Sequence, residues 1–286
     1  MNIIHILKLN HSKKLIYKHL KYAKNYIIFI KNLKFDFKLK HHYTGFNFLL
    51  NSYHHKGYWY YGSKREHSTI ERFFKIIQKG DYVIEIGGHI GYFSTLFSNI
   101  IGPDGKLDVF EPSGENFKYL KENISLMPTQ LSKMVSIIEK GVGDQNITLD
   151  FFIDPITGQN NSFVKDFDGF FENRKHSAQE NAELMIVAVP LIRLDDFLQN
   201  TTVHPNFIKI DVEGFEYNVI LGAKNTIEKC KPSFMIEIQK DENEIISYFL
   251  SVGYNIFNDQ WIKISDIDEY LKFKTPNIFF IYNSAL

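Results

Sequence analysis

From Glu66 onward the chain alternates between two hydrophobic rhythms. Ile70, Phe73, Phe74 and Ile77 recur at helical spacing and predict a helix over 68–78. Tyr82–Ile86 is an apolar run of strand length, and a helix follows to about Asn99. The turn Gly102-Pro103-Asp104-Gly105 leads into a strand at 106–110 and a helix over 115–126. Further strands are expected at 135–139, 148–153, 187–190, 207–210 and 234–237, and near 254–257 and 277–282. Helices are expected over 194–199, from Gly214 to about Lys229, and over 241–252. Strands and helices joined by short turns predict an α/β fold with a doubly wound parallel sheet. Residues 154–183 are polar and without period, and a loop of that length in a compact domain is usually functional or disordered.

The first 40 residues follow another rule. Leu15, Ile16, Leu20, Ile27 and Ile28 recur among lysines, which predicts one or two basic amphipathic helices. This segment holds ten lysines and one acid, Asp36, in a chain whose formal net charge is zero. The overall balance gives no case for nucleic acid. The local one fits contact with an anionic membrane, or a helix packed on the core with its lysine face in water. We divide the chain into a basic N-terminal appendage, 1–57, and a catalytic domain, 58–286. Residues 41–63 are aromatic and irregular; they are expected to close the core, with one tyrosine as a candidate for the pocket. The pairs His41-His42 and His54-His55 are expected in solvent. Cys230 is the single cysteine, so no internal disulfide or cysteine-based metal site is expected. The apolar run Tyr26–Ile30 is too short to span a membrane. A cytoplasmic protein, peripheral at the inner membrane face, is the expectation.

The chemistry begins at Glu85, a carboxylate inside a strand that should be buried on both faces and therefore continuously apolar. It needs a partner. Glu85, Glu111 and Asp211 all fall at or just past the ends of parallel strands, which converge on one crevice. Glu111 follows Gly87 by the distance at which an acid accepts a ribose diol. A nicotinamide dinucleotide would need glycine at 89 and 92, but the residues are His89 and Tyr92. Acids beneath the turn would also repel phosphates. A ligand with ribose, adenine and an amino-acid end but no phosphate fits better, and S-adenosylmethionine has that description.

The stretch Glu85-Ile86-Gly87-Gly88-His89-Ile90-Gly91-Tyr92-Phe93-Ser94 then carries a family resemblance. It is joined by Val109-Phe110-Glu111-Pro112, Gly141-Val142-Gly143-Asp144, Leu194-Asp195-Asp196-Phe197, and Phe207-Ile208-Lys209-Ile210-Asp211-Val212-Glu213-Gly214-Phe215-Glu216. Over residues 60–286 the chain resembles the FkbM-type S-adenosylmethionine-dependent methyltransferases. It departs from their pattern in Glu85 for the usual Asp, and in Gly88-His89 for Ala-Asn.

The resemblance implies a mostly parallel, seven-stranded Rossmann-like methyltransferase sheet with helices on both faces. It also implies S-adenosylmethionine as cofactor, held by Glu85, Gly87, Gly88, His89, Gly91, Glu111, Pro112, Gly141, Val142, Asp144 and Asp211. An acceptor oxygen must be held in line with the methyl group and relieved of its proton, for which Asp211, Glu213 and His89 are the candidates. His89 could instead bond only to the turn or cofactor, and Glu213 could cap the next helix. No metal is expected, although a divalent ion would use Asp211 with Glu213 or Glu237. Asp211-Val212-Glu213-Gly214 stands where an amide- or base-nitrogen methylase would carry Asn/Asp-Pro-Pro-aromatic, which favours an oxygen acceptor. The expected acceptor is a hydroxyl on a surface glycan, lipopolysaccharide or capsule sugar, covered by the 154–183 segment through Asn160, Asn161, Ser162, Lys165 and His176. A secondary-metabolite hydroxyl is the alternative; an NAD-binding or non-catalytic protein is a further one.

Overall fold

A computed structural model of the chain describes residues 34–154, 160–171, 183–238, 243–273 and 275–282. Its strands are β1 (Asp36–Lys40), β2 (Asn47–Asn51), β3 (Tyr82–Ile86), β4 (Lys106–Phe110), β5 (Val135–Ile138), β6 (Gly141–Val142) and β7 (Thr148–Ile153). They continue with β8 (Met185–Ile192), β9 (Phe207–Ile210), β10 (Ser233–Glu237), β11 (Tyr254–Asn258), β12 (Lys263–Ile264) and β13 (Asn277–Tyr282). The main sheet has the order β12-β11-β13-β10-β9-β3-β4-β5. Its β10, β9, β3, β4 and β5 are parallel, and β13 runs antiparallel to both β10 and β11. The seven expected strands are present, with β12 added as a two-residue edge. The chain winds away from β3 in both directions, so the ends of β3 and β9 flank the crevice where the strand order reverses.

Period-two alternation decides which side chains meet. On one face, Ile84, Ile86, Ile208, Ile210, Phe234 and Ile236 join a core under the helices Glu216–Leu221 and Asn243–Ser251. On the other, Val83, Val109, Phe207 and Met235 join a core with the helices His67–Ile76 and Tyr92–Ile101. Glu85, Glu111, Lys209, Asp211 and Glu237 stand an even number of residues further along those same strands. All five therefore lie on this second face.

Two expectations for the N-terminal segment change. Residues 36–40 form strand β1, paired antiparallel with β2, instead of the end of a basic helix. Phe37 and Leu39 alternate with Asp36, Lys38 and Lys40, and β2 places Phe48 and Leu50 in the second core. The remainder of the predicted basic helices, residues 1–33, lies outside the described residues. His41 and His55 are buried rather than solvated. His41 Nε2 bonds to the Tyr92 carbonyl and His55 Nδ1 accepts from Asn51 N–H; burial lowers their pKa values to about 4 and about 3.

The strand at 148–153 does not extend the main sheet. β7 pairs antiparallel with β8, and β8 pairs with β6, in a separate three-stranded sheet. This ribbon meets the main domain at two glycines: a Cβ on Gly222 would lie 1.9 Å from the Gly143 carbonyl oxygen. Gly222 also divides the expected long helix into Glu216–Leu221 and Lys224–Cys230. The second piece is capped by Asp195, whose carboxylate accepts from Asn225 N–H, Thr226 N–H and the Thr226 hydroxyl. Among the described residues, no helix is long and apolar enough to cross a membrane.

Candidate active site

The ends of β3, β4 and β9 open onto a cleft of about 990 Å³, its solvent-open mouth included. Gly87, His89, Glu111, Pro112, Asp211 and Glu213 line its floor. Gly141 and Val142 line it from β6, and Asn160, Asn161 and Phe163 from the segment after β7. Tyr58, Arg65 and Glu66 close it from the N-terminal side.

The floor depends on a turn that only glycine can make. Gly87 has φ +87°, and a Cβ there would sit 1.8 Å from the Asp211 carbonyl oxygen. The ends of β3 and β9 are thus in backbone contact. A Cβ on Gly88 would meet Val109, and one on Gly91 would meet Leu120. These two residues shape the turn from behind and do not line the cleft. Between them His89 adopts φ +48°, a left-handed conformation uncommon for a residue with a side chain.

Glu111 is fixed by that turn. Its Oε2 accepts from His89 N–H at 2.6 Å and its Oε1 from Ser113 N–H at 2.9 Å. Burial lifts its pKa to about 7 against these bonds. Glu85, expected at the methionine end of a cofactor, does not line the cleft. It is 1% exposed, accepts a hydrogen bond from the Ser94 hydroxyl, and has Lys209 Nζ at 4.0 Å. Burial raises its pKa to about 7, with Lys209 opposing. The cation that Glu85 requires is supplied by the protein, since Lys209 is its register partner on β9.

Lys209 Nζ also donates to Asp211 Oδ2 at 2.9 Å and to the Gly87 carbonyl at 3.2 Å. Burial alone would raise the Asp211 pKa, but Lys209 and a hydrogen bond from Glu237 together hold the carboxyl below its ordinary value. Next to it, the Asp211 charge and burial push the Glu237 pKa well above its ordinary value. Asp211, Glu213 and Glu237 offer oxygens within 4.8 Å of one another, a spacing that suits a shared cation. Lys209 Nζ is the cation among the described residues that already bonds to Asp211. After β9, Glu213 and Gly214 both take positive φ. This turn is held by Glu216, which accepts from Val212 N–H and Gly214 N–H, while the helix it leads into has no side-chain cap at Phe215.

His89 is oriented by the N-terminal segment. Its Nδ1 is 3.1 Å from the Tyr58 hydroxyl, and the two rings stack at 5.9 Å. Its Nε2 is buried with no hydrogen-bond partner. Burial, together with the neighbouring His55, lowers its pKa well below the usual value, so the ring is neutral at pH 7. Arg65 packs 4.6 Å above the Tyr58 ring and pairs with Glu66 at 3.1 Å.

The other candidates divide. Asn161 is in the cleft, whereas the Ser162 hydroxyl is turned away to the Glu213 carbonyl at 2.6 Å. Lys165 lies in a separate groove with Asp166 and Phe170, and Asp144 faces Asn218 and Gln145. His176 lies outside the described residues. Sequence reasoning missed Lys209, Arg65 and Glu66. For Lys209 a signal existed: it stands two residues before Asp211, as Glu85 stands two before Gly87, and two opposite charges inside adjacent buried strands call for each other.

The chain is similar to several solved methyltransferases. The FkbM methyltransferase of Methylobacillus flagellatus KT aligns at 16% identity and a TM-score of 0.45, over 74% of this chain and 50% of that one. The chain thus spans about half the length of that protein. Aeropyrum pernix fibrillarin, in complex with S-adenosyl-L-methionine, aligns at 11% identity and a TM-score of 0.43, over 87% of this chain and 82% of that one. An S-adenosylmethionine-dependent O-methyltransferase of Thermotoga maritima aligns at 11% identity and a TM-score of 0.39, over 76% and 63%. No curated protein matches the sequence. The methyltransferase FkbM domain matches residues 85–256, well over half of the 286 residues, and the chain belongs to the FkbM methyltransferase family.

Proposed function

We propose that this chain is an S-adenosylmethionine-dependent O-methyltransferase acting on a sugar hydroxyl. The observation that carries the cofactor is the floor of the cleft. A glycine turn too tight for any side chain leads to a carboxylate fixed by two backbone N–H groups, among acids that would repel a pyrophosphate. Glu111 would take the ribose diol, the Gly87 turn the methionine end, and Gly141 and Val142 the adenine. When bound, the cofactor supplies a methyl group on a sulfonium sulfur, which is displaced in line by the acceptor oxygen.

The chain's own task is to hold that oxygen and receive its proton. Asp211 already has Lys209 on Oδ2, and Glu237, its pKa raised by the Asp211 charge, is turned to Asp211 by a hydrogen bond. His89 Nε2 is neutral and without a partner, which makes it the base of this reading, steered by Tyr58 on the opposite nitrogen. Asn160, Asn161 and Glu213 give the cleft the polar groups that suit a sugar. The +9 balance of residues 1–40 favours peripheral contact with an anionic membrane carrying the acceptor. Vesicle binding that is lost on truncation and weakened by salt is the expected result; equal binding by the truncated protein counts against it.

Calorimetric titration with S-adenosylhomocysteine and with NAD tests the cofactor. Binding of the former alone is expected, and tight NAD binding in its absence ends the reading. Methyl transfer from labelled S-adenosylmethionine to an array of neutral glycosides tests the acceptor class.

A further inference from the structure

Lys209 is the side chain in this molecule whose burial is hardest to explain by packing. It is 1% exposed, and an ammonium at that depth is costly unless paired and hydrogen-bonded. Its contacts are on three different pieces of the site: the Gly87 carbonyl in the turn after β3, the Asp211 carboxylate at the end of β9, and Glu85 within β3. The Phe93 ring lies 5.3 Å from the ammonium. Neutralising Glu85 alone would place the ammonium on Glu85. Instead Nζ sits closest to Asp211, 2.9 Å against 4.0 Å.

We propose that Lys209 is a positioning residue of the transfer site: it ties the glycine turn to the Asp211 carboxylate and keeps Asp211 an anion that faces the cleft. This rests on the cofactor reading above. The Asp211 side chain is 26% exposed, so its charge is presented to whatever cationic centre occupies the cleft. Several other groups face that carboxylate. Glu237 on β10 hands it a hydrogen bond, and Glu85 on β3 and Glu213 beyond β9 repel it. His89 comes from the turn, and Arg65, Glu66 and Tyr58 come from the N-terminal side. Lys209 is the cation in direct contact with it among the described residues.

A purely structural lysine and a positioning lysine differ in one readout. Sinefungin has an ammonium-bearing carbon where S-adenosylhomocysteine has a neutral sulfur, so the ratio of their affinities reports negative charge at Asp211. Contributions from the ribose and adenine contacts cancel in that ratio. For the full chain, the ratio is expected to be constant from about pH 5.5 to about pH 8.5. In Lys209→Met it should fall at least about tenfold at the acid end, because a carboxyl without its ammonium beside Glu237 takes up a proton. Lys209→Arg should restore the flat profile. A flat Lys209→Met profile at the wild-type ratio overturns the proposal, and so does failure of Lys209→Arg to restore it. Should Lys209→Met not fold, lysine-labelled nitrogen NMR of the wild type and of Asp211→Asn decides. A charged Nζ whose resonance shifts in Asp211→Asn supports the tie, and one unchanged in that variant refutes it. Wild-type protein that binds neither ligand sinks the cofactor reading instead, while the NMR measurement still tests Lys209.

Discussion

The two walls of the cleft are made of different material. The floor, at the ends of β3, β4 and β9, is held by backbone: Gly87 touches the Asp211 carbonyl, and Glu111 is fixed by two N–H groups. The facing wall, from Tyr58–Glu66 and Asn160–Phe163, reaches the cleft through side chains whose elements lie outside the main sheet. Backbone contacts in a parallel sheet leave one geometry, suited to a ligand that never changes. Side chains on short elements can be replaced singly, which suits a partner that differs from one enzyme to the next.

If the floor is as rigid as this contrast holds, Gly87→Ala is the severest change. The added methyl has nowhere to go against Asp211 backbone, and S-adenosylhomocysteine affinity should fall by at least about 100-fold, or the protein should fail to fold. Calorimetry and a thermal melt separate these results, and near-normal binding would refute the rigid floor. His89 belongs to the floor by backbone and to the chemistry by side chain. His89→Asn keeps a residue tolerant of φ +48°, so kcat should drop by about 100-fold with cofactor affinity little changed. Loss of cofactor affinity with kcat unchanged would assign His89 to binding alone.

Glu111 gives the comparison a pH signature. Its pKa stands at about 7 in the free protein, and a ribose diol donates to the anion, so binding favours the ionised form and expels a proton. Affinity for S-adenosylhomocysteine should therefore rise as pH passes upward through about 7 and level off above it. Glu111→Gln should flatten the profile and weaken binding by about tenfold at high pH. The facing wall should respond least to a cofactor assay. Asn161→Ala and Phe163→Ala are expected to leave S-adenosylhomocysteine affinity within about twofold while raising acceptor KM severalfold. Equal losses for donor and acceptor would erase the distinction between the walls.

The floor was legible in the sequence because its signals are local. Tyr82–Ile86, the glycines and Glu111 occupy one strand–helix–strand stretch, and Phe207–Ile210 is a second strand with an acid, Asp211, at its end. Of the facing wall, Asn160 and Asn161 were legible as polar loop residues, whereas the N-terminal half was not, since Tyr58 and Arg65 meet His89 and Asp211 only through tertiary packing. Glu85 shows the boundary between the two. Its need for a partner followed from burial, but the partner's identity depended on which strand lies beside β3. The β1–β2 hairpin was missed for another reason. In Asp36-Phe37-Lys38-Leu39-Lys40 the alternation has period two, but the surrounding lysines continue a helical pattern and mask it. The separate β6-β8-β7 sheet was hidden because its strands are interrupted by the longest polar segment in the chain.

The contact between Gly143 and Gly222 has a consequence for descent. The ribbon that carries Phe151, and leads to Asn160 and Phe163, is fastened to the main domain where two backbones meet, and that fastening specifies only the absence of a side chain. Positions that pack neither on the main core, as Val142 and Ile192 do, nor on Phe215, as Phe163 does, are released from the duty of holding it in place. A lineage can therefore rewrite what this wall recognises, residue by residue, while inheriting the joint and everything beneath it unchanged.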